Sequence, residues 1–154
     1  MDWVRLLATP FVLAEPAFED YPPADARFAW ALAATFTLAA GSFFAAGRRG
    51  RPRALGAAAL AFDTVFLSCW AVLYAYDPGT PARDLLVLVP VEAALRYGRL
   101  GALAAAATVP ALALFEWRLT ETLDAPYQPG HAVFPAGLYL LVGLLVGVLR
   151  DRTA

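Results

Sequence analysis

Apolar residues run through this chain in long blocks separated by short polar segments, without the alternation of an amphipathic strand. A membrane-crossing helix needs roughly 17–25 mainly apolar residues. Residues 28–46 (FAWALAATFTLAAGSFFAA) carry no charge and are followed by GRRGRPR. Residues 54–76 are apolar apart from Asp63 and end at the turn signal Asp77-Pro78-Gly79. Residues 85–98 form a shorter block holding Glu92 and Arg96, and residues 101–117 form an alanine-rich one with Glu116 near its end. Residues 132–149 are uncharged and strongly apolar. The pattern predicts five spanning helices, the third of them short. Gly98-Arg99-Leu100-Gly101 is a turn tight enough to make the third and fourth an antiparallel hairpin.

Residues 3–18 are apolar enough for a sixth span but contain Arg5, Pro10, Glu15 and Pro16. They fit a cleavable signal peptide poorly, because no small-x-small site leads into a soluble domain. Arginine placement separates the remaining readings. Arg48, Arg49, Arg51 and Arg53 fill one loop, Arg96 and Arg99 flank another turn, and Arg150 and Arg152 follow the last block. The alternate loops hold only Arg27, Arg83 and Arg118, beside Glu19, Asp20, Asp25, Asp77, Asp84, Glu121 and Asp124. Every second loop is arginine-rich, as the positive-inside rule requires. The expected architecture is an all-α, polytopic helix bundle with both termini cytoplasmic. It forms a single membrane domain over residues 1–154, with helices at about 3–18, 28–46, 54–76, 83–98, 101–117 and 132–150. Five spans plus an interfacial N-terminal helix is the alternative. The expected location is the cell inner membrane, as a multi-pass protein. Trp30, Trp70, Tyr74, Tyr76 and Trp117 fall near the proposed outer helix ends, where an aromatic belt belongs.

Composition agrees. The chain is 60% hydrophobic and 16% charged, against roughly 25% charged in an ordinary soluble domain. A net charge of −1 excludes a broadly basic nucleic-acid binder. One cysteine, Cys69, excludes an internal disulfide framework and a multi-cysteine zinc site. A single histidine, His131, cannot supply paired haem ligands or a multi-histidine metal site, and reads as a helix-start residue. No Walker loop, dinucleotide fingerprint, serine elbow or HExxH is present. An enzyme is not expected, nor is a cofactor or a metal.

Charged groups inside a bilayer are costly and face protein or a water-filled cavity. Asp63 lies about 14 Å into its helix at helical rise. Glu92 and Arg96 stand four residues apart on one helix face and can pair, with Arg96 also near enough to turn towards Asp63. These three form a candidate polar cluster, either for ligand, proton or signal, or as a structural ion pair that fixes helix register. Pro90 and Pro110 permit kinks. Gly143 and Gly147 make a small-xxx-small pattern that serves either a dimer contact or packing within one chain. Arg48, Arg49, Arg51 and Arg53 read as topology anchors, with anionic lipid as a secondary partner.

From Asp63 onward the chain resembles the N-terminal multi-pass membrane module of bacterial, actinobacterial-type sensor histidine kinases and GAF-containing diguanylate cyclases. The resemblance rests on Asp63, the outer turn Gly79-Thr80-Pro81, the helix Pro90-Val91-Glu92-Ala93-Ala94-Leu95-Arg96-Tyr97-Gly98, and Gly101. Pro129-Gly130-His131 followed by Leu141-Val142-Gly143-Leu144-Leu145-Val146-Gly147 is similar to that module's closing helix. It implies a homodimeric sensory input module that passes a signal through its last helix to a cytoplasmic output domain or partner. The pattern departs after Arg150-Asp151-Arg152-Thr153-Ala154, where no coiled coil, GAF, kinase or cyclase sequence follows and no autophosphorylated histidine is found. The implied protein is an excised module or a stand-alone relative whose output comes from a partner. Two rivals come from other classes: a small-molecule-binding subunit of a vitamin-uptake transporter, and an envelope scaffold.

Overall fold

Proline and glycine set most of the element boundaries. The computed structural model describes residues 2–50 and 52–154, apart from the side chains of Asp2, Pro52 and Arg53. Among the described residues every regular element is helical. Helix α1 is Asp2–Phe18, α2 is Pro23–Gly47 and α3 is Pro52–Leu73. A 3₁₀ segment, Ala82–Val87, leads directly into α4, Leu88–Tyr97. A second, Gly98–Thr108, leads into α5, Val109–Leu123, and α6 is Gly130–Thr153.

Several bounds differ from the sequence pattern for local reasons. Helix α2 starts five residues before residue 28, because Pro23 occupies the first turn, where its missing N–H costs nothing. Asp25 in that turn complements the helix dipole. Helix α5 continues through Arg118 and Glu121 to Leu123, since charge alone does not stop a helix. It ends where Asp124 turns left-handed (φ 49°) and its N–H caps the Thr120 carbonyl. Helix α3 ends three residues before Tyr76, which lies in a turn.

Among the described residues, four helical stretches are long and apolar enough to cross a membrane by length and composition: Pro23–Gly47, Ala54–Leu73, Ala82–Leu123 and Gly130–Thr153. The third is folded back at Gly98, whose φ of 66° and ψ of −151° break the helix. This gives the expected hairpin. Its first arm has only 16 residues, but 3₁₀ geometry rises about 2.0 Å per residue against about 1.5 Å in an α-helix. The arm therefore reaches roughly 27 Å, near the roughly 30 Å of a hydrocarbon core.

The chain divides into two compact units, Met1–Ala59 and Leu60–Ala154. In the first, α1 folds back on α2. Helix α2 buries Ala29, Ala33, Phe36 and Ala40, one stripe at helical spacing. Arg5 is 7% exposed, its guanidinium 5.8 Å from the centre of the Phe43 ring. The Thr9 hydroxyl donates to the Arg5 carbonyl at 3.0 Å. At the other end the Tyr21 hydroxyl donates to the Glu15 carboxylate.

In the second unit α6 lies along the hairpin, against α4 and the second 3₁₀ segment. A core forms from Ala71, Leu86, Ala105, Ala111, Leu112, Ala132, Ala136 and Tyr139. The second 3₁₀ segment is 11 residues long, beyond the usual three or four. Its alanines tolerate the eclipsed i, i+3 side chains, and Pro110 has no N–H to return to the Ala106 carbonyl. Ala102, Ala105 and Thr108 are buried at a spacing of three, a straight row along this segment.

Candidate functional site

Two groups of ionisable residues in the second unit lie at the two ends of the seam between α6 and the hairpin. At one end, Glu92 and Arg96 share a face of α4. Arg96 donates from Nη2 at 2.7 Å and from Nε at 3.1 Å to Glu92 Oε1. The order, acid before base at i, i+4, is the favourable one, and Arg96 sits in the last turn, where a cation complements the dipole. Both side chains are about four-fifths buried, at 22% and 18% exposure.

Helix α4 ends with carbonyls that lack helical partners. Arg150 of α6 reaches one of them, donating from Nη2 to the Arg96 carbonyl at 3.2 Å. The next residue of α6, Asp151, accepts the Arg99 backbone N–H at 3.3 Å and Arg99 Nε at 3.1 Å. The turn residue Gly98 makes room for this, since a Cβ there would strike the Asp151 carboxylate. Two consecutive α6 residues thus hold the hairpin turn.

Between the ends the seam is built on backbone contact. A Cβ on Gly147 would lie 2.7 Å from Arg99 Cα, and one on Gly143 would lie 3.2 Å from Ala102 Cβ. A Cβ on Gly101 would overlap the Ala93 carbonyl across the hairpin. Gly143 and Gly147 therefore pack within one chain, against α4 and the turn.

At the far end the buried Glu116 of α5 meets His131, the second residue of α6, with Oε1 and Nδ1 2.8 Å apart. The Glu116 side chain is 5% exposed and the His131 ring 55%. The neighbouring residues are tied down as well. Tyr139 donates its hydroxyl to the Arg83 carbonyl at 3.0 Å, and the Arg83 guanidinium lies 5.6 Å from the centre of the Phe115 ring. Arg118 donates to the Val72 carbonyl of α3 at 3.3 Å. Thr108 and Thr120 satisfy themselves on carbonyls three residues back. No buried side-chain nitrogen or oxygen lacks a partner among the described residues.

Of the residues singled out from the sequence, Glu92 and Arg96 are brought together, and Asp63 stands half-buried on α3. Arg48 lies over the Phe44 ring at 6.0 Å and Arg49 lines a cavity. Arg51 and the side chain of Arg53 are outside the described residues. The pattern did not pair Glu116 with His131 or Arg99 with Asp151, nor did it bury Arg5. The available signal was position: Glu116 and His131 both stand at the ends of apolar blocks flanking one loop. Among the described residues no group of three or more His, Cys, Asp or Glu side chains converges on a metal site.

Chemically, the seam is a helix held at both ends by contacts between ionisable side chains. Between them Gly143 and Gly147 bring α6 close to the hairpin, and Ala132, Ala136 and Tyr139 pack into the core. No family model, curated protein or solved structure matches this chain.

Proposed function

We propose that this chain is a membrane-embedded sensory input module that relays a signal to a cytoplasmic output domain or protein through α6. In this reading it crosses the inner membrane six times with both termini in the cytoplasm, α1 being the first span, and works as a homodimer. One observation carries it: α6 is fastened to the hairpin by Glu116–His131 at one end and by Arg99–Asp151 at the other. A stimulus at the first contact changes the load on the second, because both bear on one continuous helix, Gly130–Thr153. A shift of this kind needs a stimulus that favours one of two packings. Opening a partly exposed histidine contact supplies such a difference. The glycines at positions 143 and 147 are occupied within the chain, so the homodimer does not depend on them.

The test is long-range coupling. In a Cys69→Ala background, spin labels at positions 100 and 152 report the α6–turn distance in lipid bilayers. Glu116→Gln and His131→Ala are expected to broaden or shift that distance distribution. Distributions identical to the parent in both variants overturn the relay.

A further inference from the structure

We infer that the turn between α2 and α3 holds one anionic phospholipid, with its phosphate on Arg49 and the start of an acyl chain in the cavity beside it. The inference is independent of the signalling reading.

Two observations carry it. The first is a cavity of about 550 Å³ within the Met1–Ala59 unit, lined by Ala46, Arg49, Ala54, Leu55 and Ala58. Among the described residues the lining is apolar apart from Arg49, surface that a free inorganic anion would leave uncovered. The second is the state of the arginine. Among the described residues Arg49 has no ion pair, whereas its neighbour Arg48 is turned back over Phe44. Gly50 has φ 86°, and nothing lies within 4 Å of a Cβ built there.

The surroundings favour a negative ligand. The last carbonyls of α2 are already bonded by the N–H groups of Arg48, Arg49 and Gly50, at 3.0 to 3.5 Å. The N-terminus of α3 borders the cavity at Ala54 and contributes the positive end of a helix dipole. A lipid supplies the charge and the hydrocarbon together, and this turn joins two stretches long and apolar enough to cross a membrane.

The test uses the purified full chain with equal amounts of phosphatidylglycerol and phosphatidylcholine of matched acyl chains, reading retained lipid by native mass spectrometry. One arginine near a membrane surface corresponds to a preference of about fivefold for the anionic lipid. Arg49→Gln is expected to abolish that preference, while Arg48→Gln keeps most of it. Ala58→Phe, which fills the cavity, is expected to lower retention of both lipids. Millimolar inorganic phosphate should displace neither. Equal retention of the two lipids by the parent chain overturns the site, as does an Arg49→Gln protein with an unchanged preference. Unchanged retention in Ala58→Phe removes the cavity from the proposal. Displacement by inorganic phosphate identifies a soluble anion instead of a lipid.

Discussion

The two compact units pair their helices by different means. In the Met1–Ala59 unit, α1 meets α2 through side chains: an alanine and phenylalanine stripe, and an arginine laid on an aromatic ring. In the Leu60–Ala154 unit, Gly147 and Gly143 bring α6 against the backbone of Arg99 and of Ala102, and Gly101 brings the two arms of the hairpin together. Side-chain interfaces adjust to a change of size by rotamer. Backbone interfaces have no such freedom, because a protein interior this close-packed has nowhere to put an added carbon. The second unit should therefore be intolerant of small changes that the first absorbs.

The largest effect is expected at the seam. Gly147→Leu places atoms where Arg99 and Gly98 already are, and overpacking of this kind costs on the order of 3 kcal/mol. Thermal unfolding of the detergent-solubilised protein should show a loss near that size. Unaltered stability would mean that α6 does not approach the turn so closely.

Next comes the far end. His131→Ala leaves the buried Glu116 carboxylate without the imidazole, which costs roughly 1–3 kcal/mol. Glu116→Gln, which retains a hydrogen-bonding oxygen, should lose less in the same assay. Equal losses would show that geometry there matters less than charge.

A contrasting gain is expected in the first unit. Gly41 has nothing within 4 Å of an added Cβ, so Gly41→Ala should stabilise α2 by roughly 0.5–1 kcal/mol by removing helical glycine. Destabilisation there would erase the difference between the units.

The smallest effect belongs to Glu92–Arg96. Intramembrane polar pairs average about 0.6 kcal/mol in double-mutant cycles, and the cycle of Glu92→Ala with Arg96→Ala should return a coupling of that order. Strictly additive losses would show that the two side chains do not act together.

Much of this architecture was legible in the order of apolar blocks. The α4–α5 hairpin, its glycine turn and the Glu92–Arg96 pair all follow from local spacing, which a sequence displays directly. The Arg99–Asp151 and Glu116–His131 contacts do not, because each joins residues from different helices and depends on how those helices pack. The alanine-rich run after Gly98 spells a spanning helix but not its winding, and it buries every third residue over Ala102, Ala105 and Thr108. Nothing in a row of alanines distinguishes a period of three from one of 3.6. The burial of Arg5 was equally hidden, since the aromatic ring that receives it belongs to the next helix.

The cradle at Gly98 has an evolutionary consequence. Any side chain at that position would displace the Asp151 carboxylate from Arg99. The two codons are therefore not free to drift separately. Shortening the partner would not release the glycine, because a backbone at φ 66° and ψ −151° is all but closed to other residues. Retention of glycine at this position, with a short acidic residue facing it from α6, is the imprint this turn should leave on its descendants.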